Sequence, residues 1–356
     1  MPEQNVTVTK LGTTLIAAFI GAALVSGKEI WQFFGIYGVW GLIGLSLAMG
    51  LLGLFSYMLL TVARKSGITD MTRVLFGRDH PIPQLLIGSL QAIFMLGIYA
   101  VMLSAAGALF TELFPQLPAA SIIGSAVLLI LTTAVVLFGV DGIVKIFSLL
   151  TPVLVFFTVL IAVWSLIRYG ANFAFPVPKA EAAPLHNNWF LSALNFVSYN
   201  FFCAIGILAP LGIRAKTQKT VLGGSILGGS ILFAIAASIF IALCTVQSLT
   251  ATDLPMLTLS GNLSPVIQYV YAALLLFGMF AASVSVTFPL PDFLQNELHI
   301  HADRRILIPL ISAVAFPVSF SKFGVLIDYL YPVFGYLALI VLALLIIRFV
   351  KQKDHL

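Results

Sequence analysis

The sequence predicts an all-α polytopic membrane protein of about ten transmembrane helices, arranged as a 5+5 inverted repeat with helices 1 and 6 broken at mid-membrane. Three observations carry this expectation. Of 356 residues, 60 % are apolar, and ten spans of roughly 20 residues each need about 200. Only 9 % are charged, against about 25 % in an ordinary soluble domain, too few to build a water-facing surface of normal size. The apolar runs fall five and five around one Pro- and Ala-rich connection, which is the count of an inverted repeat. This composition excludes a nucleic-acid binder, a secreted disulfide scaffold and a cytoplasmic enzyme. The expected surroundings are the lipid bilayer and a small-molecule ligand.

The first element, 11–35, follows the polar MPEQNVTVTK and runs without a small-residue cleavage signal into Lys28 and Glu29. It therefore reads as a span and not as a removable signal peptide. Charges, Pro clusters and Gly then delimit spans 2 to 5 at 38–63, 83–113, 119–139 and 143–168, closing a first repeat, 1–168. The connection 169–189 (with PVPKAEAAP) follows. Spans 6 to 10, at 190–213, 219–248, 263–290, 305–321 and 324–350, form the second repeat, 190–356.

Basic residues orient these elements. With the N-terminus inside, one side holds Lys10, Arg64, Lys65, Arg73, Arg78, Lys145, Arg214, Lys216, Lys219, Arg304, Arg305, Arg348, Lys351 and Lys353, and the other only Arg168, Lys179 and Lys322. Fourteen against three is a strong positive-inside asymmetry. It predicts a multi-pass protein of the cytoplasmic membrane with both termini cytoplasmic and 169–189 extracellular.

Spans 1 and 6 are poor uninterrupted helices in corresponding places. Span 1 carries Gly21-Ala22-Ala23-Leu24-Val25-Ser26-Gly27-Lys28-Glu29; span 6 carries Ser198-Tyr199-Asn200-Phe201-Phe202-Cys203-Ala204-Ile205-Gly206 and then Pro210. An ionisable residue inside a span costs several kcal/mol unless it is paired or faces a wet cavity. Lys28 and Glu29 lie roughly 8–9 Å of helix from the outer end of span 1. Lys28 is long enough to snorkel; the shorter Glu29 is expected to face the protein interior. A helix interrupted in the membrane frees N–H groups at one new end and C=O groups at the other, which a ligand or an ion can satisfy.

The stretch GAALVSGKEIWQFF resembles the G-x-G-F-A-S-G-x-E-I signature of the YkvI-type bacterial membrane proteins, within the amino acid–polyamine–organocation superfamily and its LeuT-type fold. KIFSLLTP at Lys145–Pro152 and Tyr331-Pro332-Val333-Phe334-Gly335-Tyr336 are further echoes, and the resemblance covers essentially the whole chain. Ala23 stands where the signature has its second glycine, and Lys28 where it has an uncharged polar residue. The resemblance implies a secondary transporter of a small zwitterionic or amine-bearing, amino-acid-like solute, probed at the breaks of spans 1 and 6. Substrate contacts would come from Ala23, Val25, Ser26, Gly27, Glu29, Tyr99, Tyr199, Asn200 and Phe202. A coupling Na⁺ would sit on the carbonyls of Gly21 and Leu24 with hydroxyls of span 8. There Ser283, Ser285 and Thr287 alternate, so at most two share a face; Ser283 and Ser285 are the candidates. Coupling to H⁺ would instead use Lys145 or Glu29.

Other residues carry less. His186, His299 and His301 fall in loops, His80 precedes Pro81 and His355 is terminal, so no metal-ligand spacing exists within a span. Cys203 and Cys244 lie in apolar runs and read as buried packing, and the paired glycines of span 7 as close helix contact. Asp328, near the outer end of span 10, reads as a solvated boundary residue, with membership of an outer gate as the alternative. No cofactor is expected beyond a coupling ion. An intramembrane enzyme would need a paired catalytic set, and none is found. A ligand-sensing membrane subunit that binds without transporting is the alternative on the same fold.

Overall fold

The computed structural model describes residues 6–68, 70–77, 80–138, 143–172, 185, 188–246 and 252–353. Among these, regular structure is helical apart from one isolated parallel bridge, Val6 with Ala215. Most of the 169–189 connection lies outside the described residues, with Lys179 and His186; so do Arg78, His355 and the side chain of Lys145.

The first predicted span is three short helices, α1 (Val8–Phe19), α2 (Ala22–Val25) and α3 (Lys28–Phe33). Spans 2 to 5 are α4 (Val39–Ser66), then, after the short α5 (Met71–Phe76), α6 (Pro81–Leu113), α7 (Ala120–Phe138) and α8 (Ile143–Tyr169). Spans 6 and 7 are α9 (Trp189–Arg214) and α10 (Gln218–Leu243). The nine-residue α11 (Pro255–Leu263) precedes span 8, α12 (Pro265–Thr287). After α13 (Leu290–Asn296) come spans 9 and 10, α14 (Arg304–Val318) and α15 (Phe323–Lys353). Among the described residues, eight segments are long and apolar enough to cross a membrane. The other two elements of the ten are the divided span 1 and α14, whose 15 residues reach about 22 Å.

Side-chain caps set several starts. Thr7 accepts from Lys10 N–H, Asn188 from Leu191, Thr217 from Thr220, Ser264 from Val266 and Asp303 from Arg305. Span 1 breaks twice. Ile20 is extended, so α1 stops there; the Ser26 hydroxyl then donates back to the Ala23 carbonyl at 2.8 Å, and Gly27 turns left-handed at φ 87°. A side chain at Gly27 would be strained in that region and would also meet Met256 Cγ at 2.9 Å.

The expected break in span 6 is not present: α9 is continuous, with Pro210 inside it. Its polar residues are spent sideways. Asn195 Nδ2 donates to the Pro332 carbonyl at 2.8 Å and Ser198 Oγ to the Gly335 carbonyl at 2.6 Å, both in α15. Asn200 Nδ2 folds back on the Phe196 carbonyl at 3.0 Å. Pro210 removes only one donor from the ladder, which a membrane helix tolerates.

Contacts run between the halves in matched pairs. α1 packs along α10 and α4 along α9; α4 along α15 and α10 along α8; α6 along α14 and α7 along α12. The fully buried Phe94, Phe196, Phe201, Phe202 and Phe240 mark the shared interior. At the basic side the backbone N–H of Val6 donates to the Arg214 carbonyl at 3.2 Å, and Arg64 donates to the Ala215 and Lys216 carbonyls at 3.1 and 3.2 Å. The opposite side is the one that the basic residues predict to be outer.

Candidate functional site

The interruption at 20–27 releases backbone groups inside the bundle, and several of its carbonyls find partners within the protein. Gly21 O accepts from Val25 N–H at 3.2 Å and Leu24 O from Gly27 N–H at 3.1 Å. Ser26 O accepts from Met256 N–H, at the start of α11, at 3.0 Å. Val25 O accepts from the hydroxyl of Tyr271 in α12 at 2.8 Å, and Thr158 Oγ1 of α8 lies 3.0 Å from that same hydroxyl. Three other spans or loops therefore hold the break in place.

α3 is buried at all six positions, charged ones included. Successive residues of a helix point about 100° apart, and Lys28 and Glu29 accordingly go different ways. Lys28 Nζ donates outward to the Thr252 carbonyl at 3.0 Å and acts electrostatically on Asp328. One turn on, Gln32 Nε2 donates to Asp328 Oδ1 at 2.6 Å and to the Gly324 carbonyl at 3.1 Å. Gly324 N–H donates to Asp253 Oδ1 at 3.3 Å. A Cβ at Gly324 would lie 2.9 Å from Lys28 Cε and 3.3 Å from Asp253 Oδ1, so a side chain there would push the end of Lys28 aside. Asp328 thus belongs to a polar seal joining α3, α15 and residues 252–253.

Glu29, 4 % exposed, turns inward. The Cys203 thiol, the Tyr331 hydroxyl and the side-chain amide of Asn200, whose Nδ2 donates to the Phe196 carbonyl, all lie within electrostatic reach of its carboxylate. Asn200 and Cys203 are three apart on α9 and share a face. Rings enclose this group. Tyr199 packs on Tyr331 at 4.9 Å between centroids and on Phe33 at 5.4 Å. Phe94 stacks on Phe334 at 4.6 Å and on Phe202 at 6.3 Å. The Tyr199 hydroxyl is buried with no hydrogen-bond partner.

The predicted residues divide accordingly. Ala23, Leu24, Val25, Ser26 and Gly27 form the buried break, while Glu29, Asn200, Tyr199 and Phe202 gather inside it. Tyr99 does not join them with its polar end. Its hydroxyl shares a 3.3 Å hydrogen bond with Ser312 of α14, which in turn lies 2.8 Å from Thr133 of α7. Ser283 is buried but donates to the Met279 carbonyl at 2.8 Å, and Ser285 is exposed and donates to Ala281. Ser283 is twelve residues along α12 from Tyr271, about 18 Å of helix, whereas Gly21 is one turn, about 6 Å, from Val25. The hydroxyl that α12 brings to the break is Tyr271, which sequence reasoning missed along with Thr158, Gln32 and Tyr331. Their signal was a polar atom in an apolar run, and no spacing rule singles those out.

The chain matches no protein-family model. It is 25 % identical over 364 residues to the uncharacterized membrane protein YkvI of Bacillus subtilis, covering all of both chains. Among solved structures it is similar to MhsT in complex with L-phenylalanine (TM-score 0.64, 18 % identity, 92 % of this chain and 87 % of that one). It is also similar to a Na⁺-coupled sialic acid symporter in a substrate-bound outward-open state (TM-score 0.56, 16 % identity, 94 % and 76 %). The chain is a multi-pass membrane protein with the LeuT-type fold, related over its whole length to YkvI.

Proposed function

We propose that this protein is a secondary transporter of a small amine-bearing or zwitterionic solute, working by alternating access around the divided span 1. The observation that carries this reading is Glu29, a carboxylate buried beside a helix interruption and facing Asn200 of α9. Such a residue has a high cost in a membrane unless it serves a ligand or an ion pathway. The fold is shared with a sialic acid symporter and with MhsT, which was crystallised with L-phenylalanine.

The matched contacts between halves support reading 1–168 and 190–356 as inverted repeats: α1 on α10 and α4 on α9 exchange under that operation, as do α4 on α15 and α10 on α8. In this scheme Lys28, Gln32 and Asp328 close the outer path, while Arg64 and the Val6 bridge close the inner one. The proposed orientation is both termini cytoplasmic. Coupling would be to Na⁺ on the Gly21 and Leu24 carbonyls, or to H⁺ through Glu29 or Lys145.

Counterflow of labelled solute in proteoliposomes tests the proposal. Uptake driven by an outward gradient of unlabelled solute, and accelerated by an inward Na⁺ or H⁺ gradient, is the expected result. Saturable binding without counterflow would replace the transporter with a ligand-sensing subunit on the same fold.

A further inference from the structure

The proposed transport site distinguishes between the two ends of a zwitterion. Its acidic group, Glu29, lies in the interior against Asn200, Cys203 and Tyr331. Its basic neighbour does not: Lys28 is turned outward to Thr252 and Asp328. At the Ser26–Gly27 turn, where a solute carboxylate would have to meet free N–H groups, those of Gly27 and Lys28 are engaged by the Leu24 carbonyl and the Ser26 hydroxyl. Met256 and Pro255 pack on Gly27, and the Ser26 hydroxyl lies 3.3 Å from Lys28 N–H as its acceptor. α3 has only six residues, so its dipole adds little there.

Around Glu29 the walls are aromatic. Tyr199 and Tyr331 face each other at 4.9 Å, Phe33 covers Tyr199, and Phe94 closes on Tyr331 at 6.2 Å. Ring faces attract cations, more strongly where water is excluded. A buried carboxylate beside a neutral amide gains most from a positive partner that can also donate hydrogen bonds. The partnerless Tyr199 hydroxyl, 3 % exposed, supplies one further buried acceptor in the same cluster.

We infer that the solute is a cationic amine with an apolar, ring-sized body, held by Glu29 and Asn200 through its ammonium and by Tyr199, Tyr331 and Phe33 through its body, and that a free carboxylate is not part of what is recognised. This rests on the central site being the solute site, and it specifies the class of solute. Phe33 and Tyr331 lie on Tyr199 from two elements, α3 and α15.

The test is thermal stabilisation of the purified full chain in detergent by four probes: phenethylamine, its N-acetyl derivative, 3-phenylpropionate and phenylalanine. Phenethylamine is expected to stabilise best, phenylalanine less well, and the two probes without an ammonium not at all. Glu29→Gln should weaken phenethylamine at least about tenfold, since it removes the charged partner of a buried pair. Tyr331→Leu should weaken it several-fold while the protein stays monodisperse. Ser285→Ala, on the exposed face of α12, serves as the control for the response itself. Equal stabilisation by 3-phenylpropionate or the N-acetyl probe, a preference for phenylalanine, an undiminished response in Glu29→Gln, or no response to phenethylamine would each overturn the inference. Counterflow separates the two readings: binding of the amine without counterflow leaves this inference and removes the transporter, while counterflow of a carboxylate without an amine does the reverse.

Discussion

The hydroxyl of Tyr271 donates to the carbonyl oxygen of Val25 at 2.8 Å, tying the second turn of α12 to the four-residue helix α2 of span 1. Thr158 of α8 stands 3.0 Å from the same hydroxyl. A carbonyl freed by the break is thereby satisfied by the protein itself, and spans 5 and 8 are joined to the break through one oxygen.

Tyr271→Phe leaves the ring and removes only this link. It should cost about 1–3 kcal/mol, because the Val25 carbonyl is left buried and unpaired. The expected readout is a lower melting temperature in detergent and slowed counterflow. Thr158→Val should have a smaller effect on both, since Thr158 also bonds the Leu154 carbonyl within its own helix. A larger loss in the threonine variant would reverse the assignment of the main strut.

Gly27→Ala should destabilise by about 1–2 kcal/mol from its left-handed backbone alone, with a further loss from contact with Met256. Met256→Ala in the same chain should recover the contact part and not the backbone part. Full recovery would mean that φ at position 27 relaxes freely.

The outer seal can be watched through a native thiol. Cys203 lies beside Glu29, and Cys244 is buried near the end of α10. In a Cys244→Ser background, a membrane-impermeant thiol reagent applied from outside should modify Cys203 slowly. Asp328→Asn, which weakens the hold on Gln32 and Lys28, should raise that rate several-fold. An unchanged rate would mean that Asp328 takes no part in closing the path.

Orientation has its own test. A cysteine at Gln116, exposed after α6, should label from the outside of intact cells, and one at Lys216, exposed before α10, should label only after permeabilisation. The opposite pattern would invert the topology read from the basic residues.

The fold and the interruption of span 1 were legible because their causes are local. The Ser26-Gly27-Lys28-Glu29 run announces a break: a back-bonding hydroxyl, a left-handed glycine and two charges that no plain span carries. Glu29 was placed inward by its short side chain, whereas Asp328 read as a solvated boundary residue, and its tie to Gln32 comes from the packing of α3 on α15. Span 6 misled because the same polar composition has two uses. Asn195 and Ser198 could open a helix or cross-link one, and only the nearby carbonyls of Pro332 and Gly335 decide between them. Tyr271 stayed hidden for a related reason: its partner lies 246 positions away in sequence. Ser285 was drawn toward an ion by its spacing in span 8, yet helix rotation leaves it on the exposed face.

An unbroken α9 has an evolutionary consequence. On the span 1 side the ligand would be met by Glu29 and Phe33, carried on a main chain whose course depends on Gly27, Met256 and Tyr271 together, so single substitutions there disturb the scaffold before they alter preference. On the α9 side whatever is bound meets side chains alone: Tyr199, Asn200 and Cys203. These can be exchanged one at a time without reshaping the helix that bears them. Divergence in ligand preference among relatives should therefore accumulate on α9, with span 1 held nearly constant as the shared frame.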